Sequence, residues 1–309
     1  MVVAVYLPLL SAAAVGLFAR WLAHRLPPAT ATRLLTVAAV VTAIACSFSL
    51  GVLAFLLIAH VPAVAALGHW STGVLQADSH IPLAVSVAGA MASLAVTALL
   101  LTVLYRHVRA ALHARAHCAR IGGEPGRLVV LDSDRADAYA LSSGRGRIVV
   151  TRRLLQGLSA PERRALLAHE RAHLACHHHR YRLAVALAAA LCPLVRPARD
   201  AVEYATERWA DEIAAAELVD RGVVATTLAR TSVLISSNPP PRPALALEAA
   251  GGAVVRRVRA LLIPPPRQRP LLVLLALAVT TLAVLAALDV RNDTEHLLEA
   301  AFNAWTATG

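Results

Sequence analysis

Four stretches of this chain are apolar for long enough to cross a bilayer, whose hydrocarbon core asks for about 20 such residues. They run from Val2 to Phe18, from about Leu35 to Ile58, from about Ile81 to Leu104, and from about Leu271 to Leu288. A chain built this way must place most of its helices in lipid. The bulk composition agrees, since 58% of the 309 residues are hydrophobic, against about half in soluble domains. None of the four runs carries an acidic or basic residue in its interior, which argues against an ion pathway.

The charged residues sort by loop. Every basic residue other than histidine is Arg, and the formal net charge is +11. Arg20, Arg25 and Arg33 lie between the first two runs. Arg106, Arg109 and Arg115 follow the third, and Arg256, Arg257, Arg259, Arg267 and Arg269 precede the fourth. The segment from Val61 to His80 has no Arg, and the tail after Leu288 is acidic. The positive-inside rule then gives four crossings with both termini outside and the long middle segment in the cytoplasm of a multi-pass cell-membrane protein. The first run lacks a basic n-region, so a retained helix is expected rather than a cleaved signal. With aromatics at only 4%, the positive charge is read as membrane topology, and direct nucleic-acid binding is not expected.

A fifth apolar stretch, Leu183 to Val195, is too short to span and has Arg on both sides. It is expected to be a buried or re-entrant helix. The cysteines at 46, 118, 176 and 192 show no CxxC spacing and are expected to be free thiols.

The middle segment opens with short β-branched pieces, Arg127 to Leu131 and Arg147 to Val150, with Ala136 to Leu141 as a further strand between them. A helix follows from Ser159, where Ser159 and Glu162 have capping-box spacing and Pro161 sits in the first turn. The prolines between Asn238 and Pro243 read as a linker, and Pro264 to Pro266 breaks the chain again. The expected domains are 1–105 (three membrane helices), 106–238 (the catalytic segment), 239–269 (a Pro/Arg-rich linker and helix), and 270–309 (the fourth span and a short external tail).

The helix from Ser159 runs through His169-Glu170-Arg171-Ala172-His173. Residues at i and i+4 share a helix face, so His169 and His173 can bind one Zn²⁺ from a single surface. Glu170 then lies where it can take a proton from an activated water. A third ligand is required. His179 has the spacing of one, but the turn position before it holds Cys176 rather than Gly, so the needed turn is disfavoured. Glu207 is the better candidate, because Glu207 and Asp211 form a second i,i+4 pair. Glu207 would complete a His₂Glu set, and Asp211 would orient a ligand imidazole. The cluster His177 to His179 is expected at a solvated or membrane-proximal helix end, and Trp209 is expected to pack. Tyr181, Arg208 and His177 are open candidates for stabilising an oxyanion.

HExxH followed by ExxAD, between a third and a fourth membrane helix, resembles the integral-membrane gluzincin peptidases. The resemblance covers roughly Arg127 to Glu217, with LSAPERRALLAHERAH and ERWAD as its strongest words. Three helices before the catalytic segment and one after it resemble the BlaR/MecR-type signal-transducing proteases more than the heat-shock protease HtpX and the CAAX prenyl proteases. The resemblance implies a mainly α membrane protein with a small α+β zincin-like metalloprotease domain in the cytoplasm. It also implies one zinc on His169, His173 and Glu207, catalysis by Glu170 with Asp211, and endopeptidase action on a protein or peptide substrate. For BlaR/MecR the implied substrate is a winged-helix repressor in a signalling cascade. The alternatives are a housekeeping quality-control protease and a non-catalytic receptor or scaffold. Besides the bilayer, a homodimer partner is left open. One departure is large: those receptors end in an external penicillin-binding domain, whereas about twenty residues follow Leu288 here. Without Lys there is no SxxK nucleophile motif, so β-lactam sensing by acylation is not expected of this chain.

Overall fold

The computed structural model describes residues 2–78, 81–121, 128–141, 146–237 and 244–308. The chain opens with α1 (Val2–Arg25) and α2 (Pro28–Ala59), passes through the short helices α3 (Pro62–Gly68) and α4 (Thr72–Asp78), and continues in α5 (Leu83–Ile121). Three strands follow, β1 (Leu128–Leu131), β2 (Ala138–Leu141) and β3 (Arg147–Thr151). The helices α6 (Arg152–Gln156), α7 (Ala160–Ala175), α8 (His178–Leu191), α9 (Arg196–Leu218), α10 (Arg221–Ser236), α11 (Ala244–Leu261) and α12 (Pro270–Thr308) complete the chain. The expected proline linker between Asn238 and Pro243 lies outside the described residues, as does Arg127 at the head of β1.

Among the described residues, α1, α2, α5 and α12 are the four helices long and apolar enough to cross a membrane, and they cover the four apolar runs except for Ile81 and Pro82 just ahead of α5. Their ends alternate. The start of α1, the end of α2, the start of α5 and the end of α12 gather at one pole. The opposite ends gather at the other, with the sheet and the helices α6 to α11. α12 is about 58 Å long at 1.5 Å per residue, nearly twice a bilayer core. Its last turns therefore continue beyond the apolar run as helix. There they meet the loop helices: Ser71 N–H donates to the Ala301 carbonyl at 2.9 Å, and Leu75 packs against Val290, Leu297 and Ala301. Neither piece has a core alone, but together they close that pole of the bundle.

The short apolar stretch forms a helical hairpin. α8 runs in, a 3-10 turn at Pro193–Val195 reverses the chain, and α9 runs back. The hairpin inserts among α1 and α2, where Val185, Ala188, Cys192 and Val202 are buried against Ala12, Ala19 and Cys46. Its tip passes so close to α1 that a Cβ on Gly16 would lie 2.1 Å from the Leu194 carbonyl oxygen. Only a residue without a side chain leaves room for that backbone. The stretch is therefore an inserted hairpin and not a fifth span, which keeps α7 and the far end of α9 on the same side. Cys46, Cys176 and Cys192 are free thiols, as expected.

At that second pole, α7 is sandwiched between the sheet and the later helices. Its Leu166 packs with Ile148, Val150, Leu154 and Leu158 on the sheet side. Ala165 and Ala168 pack with Ala214, Val224 and Leu261 on the other. The Glu162 carboxylate accepts from the Ser159 N–H at 2.7 Å, which closes the capping box at the start of α7. The sheet order is β1-β3-β2, with β1 parallel and β2 antiparallel to β3. Among the described residues β2 pairs with β3 alone, which leaves its other edge free.

Candidate metal centre

α7 carries His169, Glu170 and His173, and α9 carries Glu207 and Asp211. α9 returns from the hairpin tip alongside α7, so the two i,i+4 pairs face each other. One donor atom from each of His169, His173 and Glu207 falls within 4.8 Å of the other two. The separations are tighter than that limit. The two Nε2 atoms are 3.1 Å apart, and each lies 3.5 Å from a different oxygen of the Glu207 carboxylate. Metal–ligand bonds of about 2.0–2.1 Å in a tetrahedron put donors about 3.3 Å apart, so these three residues fit one zinc ion. The ring protons agree. His169 Nδ1 is 3.0 Å from the Asp211 Oδ1, and a proton held there leaves Nε2 as a bare lone pair. His173 Nδ1 is 2.8 Å from His178 Nδ1, and a proton donated along that line does the same for the Nε2 of His173. Two lone pairs facing each other at 3.1 Å are held there only by a metal ion or a proton between them.

Without a metal, a proton takes that place on His169. Burial opposes a charged His169, but the Asp211 and Glu207 carboxylates outweigh it and lift its pKa to about 9. His173 is pushed down to about 3 by burial, reinforced by the charges of His169 and Arg182 despite Glu207. Burial also raises Glu170, as suits a general base that must later hold a proton. Burial alone would raise Glu207 and Asp211 too, yet the Arg257 guanidinium and His169 hold both below the usual carboxylate range.

Three contributors to this centre go beyond the HExxH and ExxAD words. Arg257, from α11, sits against both acids of α9, with Nη1 2.8 Å from Glu207 and Nη2 2.6 Å from Asp211. In the sequence it counts only as one of a run of topological arginines. Arg182 pairs with Glu207 from α8. His178 was expected at a solvated or membrane-proximal helix end, but it is 1% exposed and packs on Trp209 at 4.9 Å. The reason is the turn between α7 and α8. Cys176 keeps an ordinary φ, as the absence of Gly requires, and His177 takes the left-handed conformation instead, with φ at 53°. That swings His178 inward beneath His173. Trp209 is indeed a packing residue, with Arg33 from α2 stacked over its ring at 4.9 Å.

The centre opens into a cleft of about 370 Å³ lined by His169, Glu170, His173, Arg182 and Glu207, with Ala138 to Ala140 of β2 forming one wall. His179 reaches the cleft but is not in the donor group. Tyr181, Arg208 and His177 do not line it. Arg208 is engaged with Glu212 at 2.8 Å, and Tyr181 lies 6.1 Å from the Trp209 ring.

A family model described as Peptidase family M48 matches residues 103–195. The matched stretch begins near the end of the third span, contains His169, Glu170 and His173, and stops before Glu207. Over it the chain is similar to metallopeptidases of that family, and the likeness does not single out the BlaR/MecR branch. No curated protein and no solved structure matches the chain.

Proposed function

We propose that this protein is a membrane-embedded, zinc-dependent endopeptidase that cleaves a protein substrate at the membrane surface. The observation that carries this is the set His169, His173 and Glu207 at tetrahedral donor spacing. The match to a metallopeptidase family over the HExxH helix supports it.

Zinc at this position would polarise the scissile carbonyl and lower the pKa of an attacking water towards about 7. The chain's own residues account for the rest. Glu170 takes the proton from the water as its oxygen bonds to the carbonyl carbon. It then gives that proton to the amine nitrogen as the C–N bond breaks. Asp211 holds the His169 ring through Nδ1, and His178 holds His173 in the same way. The free edge of β2 takes the substrate as an added strand, which presents its backbone along the cleft.

The distribution of arginines supports a cytoplasmic catalytic segment with both termini outside. Reporter fusions after residues 70, 160, 230 and 305 test that orientation, and an external signal at 160 or 230 contradicts it.

The main experiment uses the purified full-length protein. Zinc content and cleavage of proteome-derived peptides are measured for wild type, Glu170→Ala and Glu207→Ala. Glu170→Ala should keep zinc and lose cleavage, whereas Glu207→Ala should lose most of its zinc. Wild-type cleavage by Glu170→Ala, or full zinc in Glu207→Ala with loss in His179→Ala, overturns the assignment.

A further inference from the structure

A second cleft, of about 690 Å³, lies on the bundle away from the metal centre, between α1, α5 and the α8–α9 hairpin. Its walls are apolar on the membrane side, where Leu17, Leu99 and Val103 face it. Its mouth is strongly basic, with Arg20, Arg106, Arg196 and Arg199 around one acid, Asp200. Arg20 is paired with Asp200 at 3.0 Å. The remaining three arginines make no ion pair among the described residues, so the mouth carries an uncompensated charge of three.

The position of the charges along the helices is informative. Leu17 lies one turn before Arg20, and Val103 one turn before Arg106, so α1 and α5 change from apolar to Arg at the same level. Both changes fall at the end of an apolar run. The cleft therefore straddles the boundary between hydrocarbon and headgroup, with the hairpin tip contributing Arg196 and Arg199 to the polar half. Away from the cleft α5 is also poorly covered, with Leu101 60% and Leu104 44% exposed. An occupant must be anionic at one end and hydrocarbon at the other.

We propose that this cleft binds the headgroup of one anionic phospholipid, with its acyl chains running outward along α1 and α5. Basic pockets between membrane helices at the headgroup level suit such lipids, and each Arg near the surface contributes about 1 kcal/mol to binding them. Bidentate guanidinium contacts favour a phosphate over a zwitterion that brings its own cation. The inference rests on α1 and α5 being membrane spans and is independent of the peptidase reading.

The test uses the full-length protein in dodecyl maltoside, titrated with dioleoyl-phosphatidylglycerol or dioleoyl-phosphatidylcholine. Bound lipids are counted by native mass spectrometry. Wild type should hold one phosphatidylglycerol about tenfold more tightly than phosphatidylcholine. Arg106→Gln with Arg199→Gln should weaken that lipid about thirtyfold, the equivalent of about 2 kcal/mol. Removing the same charge elsewhere, with Arg153→Gln and Arg164→Gln, should leave it unchanged. Each cleft variant alone should give about fivefold, which keeps the test decisive if the double variant loses its fold. Equal affinity for the two lipids in wild type overturns the proposal, as does equal loss in the control pair. Displacement of phosphatidylglycerol by millimolar inorganic phosphate also overturns it, in favour of a simple anion site.

Discussion

Arg257 on α11 grips Asp211 on α9 through two hydrogen bonds, Nε to Oδ2 at 2.8 Å and Nη2 to Oδ1 at 2.6 Å. Its third nitrogen lies 2.8 Å from Glu207. One cation thus neutralises the acid that orients His169 and also the acid proposed to bind zinc. α11 lies beyond the proline-rich segment, so a residue far along the chain completes the electrostatics of the centre.

That contact has a measurable signature. Arg257→Ala would leave two acids short of a partner in a buried place, which costs about 3–5 kcal/mol when nothing replaces the charge. Bound zinc would supply part of it. The loss of Tm should therefore be larger in chelator-treated protein than in zinc-loaded protein. Equal losses with and without zinc would show that Arg257 does not share its task with the metal.

The hairpin can be tested at its tightest point. Gly16→Val should push the Leu194 backbone away from α1, and overpacking of this kind costs about 1–3 kcal/mol. Because α9 begins at that tip and carries Glu207 three turns further on, cleavage should fall along with Tm. Gly51 in α2 is the control, with nothing within 4 Å of an added Cβ. Gly51→Ala should be neutral or stabilising by up to about 1 kcal/mol. Similar behaviour of the two variants in thermal unfolding would rule out the close approach at Gly16.

The start of α7 gives a pH dependence. The Ser159 backbone N–H, against the opposing effect of burial and with help from Arg230, holds the Glu162 carboxyl below its usual value. A group depressed in the folded state contributes stability above its unfolded pKa, and that stability is lost as pH falls through the folded value. Glu162→Ala should cost about 1 kcal/mol near neutral pH, a typical capping contribution. The gap in Tm between variant and wild type should close as the pH is lowered through the carboxylate range. A gap independent of pH would mean that packing, and not the ionised carboxylate, is what Glu162 supplies.

How much of this was readable follows from how local each feature is. The two i,i+4 pairs, His169–His173 and Glu207–Asp211, are properties of a single helix turn, so spacing alone gives them. The hairpin is legible from length and from Arg180, Arg182, Arg196 and Arg199 flanking a run too short to span. Arg257 is not legible, because its role comes from tertiary packing of α11 on α9, and nothing local separates it from Arg256 or Arg259. The inward turn of His178 depends on a left-handed His177, which few residues adopt and no neighbouring residue announces. The helical end of α12 was read only as an acidic tail, because its support comes from Ser71 and Leu75 in a distant loop.

The edge of β2 makes the sharpest prediction about substrate. Thr151 N–H donates to the Asp137 carbonyl at 2.9 Å, and Tyr139 pairs with Val149 in the register. Antiparallel ladders alternate, so the odd-numbered residues of β2 bond to β3 and the even-numbered ones point to the free edge. Of these, the Ala138 N–H is already met by the Asp137 carboxylate at 2.9 Å. Ala140, on the wall of the cleft, offers its N–H to an incoming strand. Ala140→Pro removes that donor without removing a β2–β3 bond. The variant should keep its zinc and its Tm within about 1 kcal/mol of stability, while kcat/KM for peptides falls about fivefold or more, as expected for one lost hydrogen bond of about 1 kcal/mol. Ala140→Val, which keeps the N–H, should cleave nearly as well as wild type. If Ala140→Pro cleaves peptides at the wild-type rate, the substrate does not add to this edge.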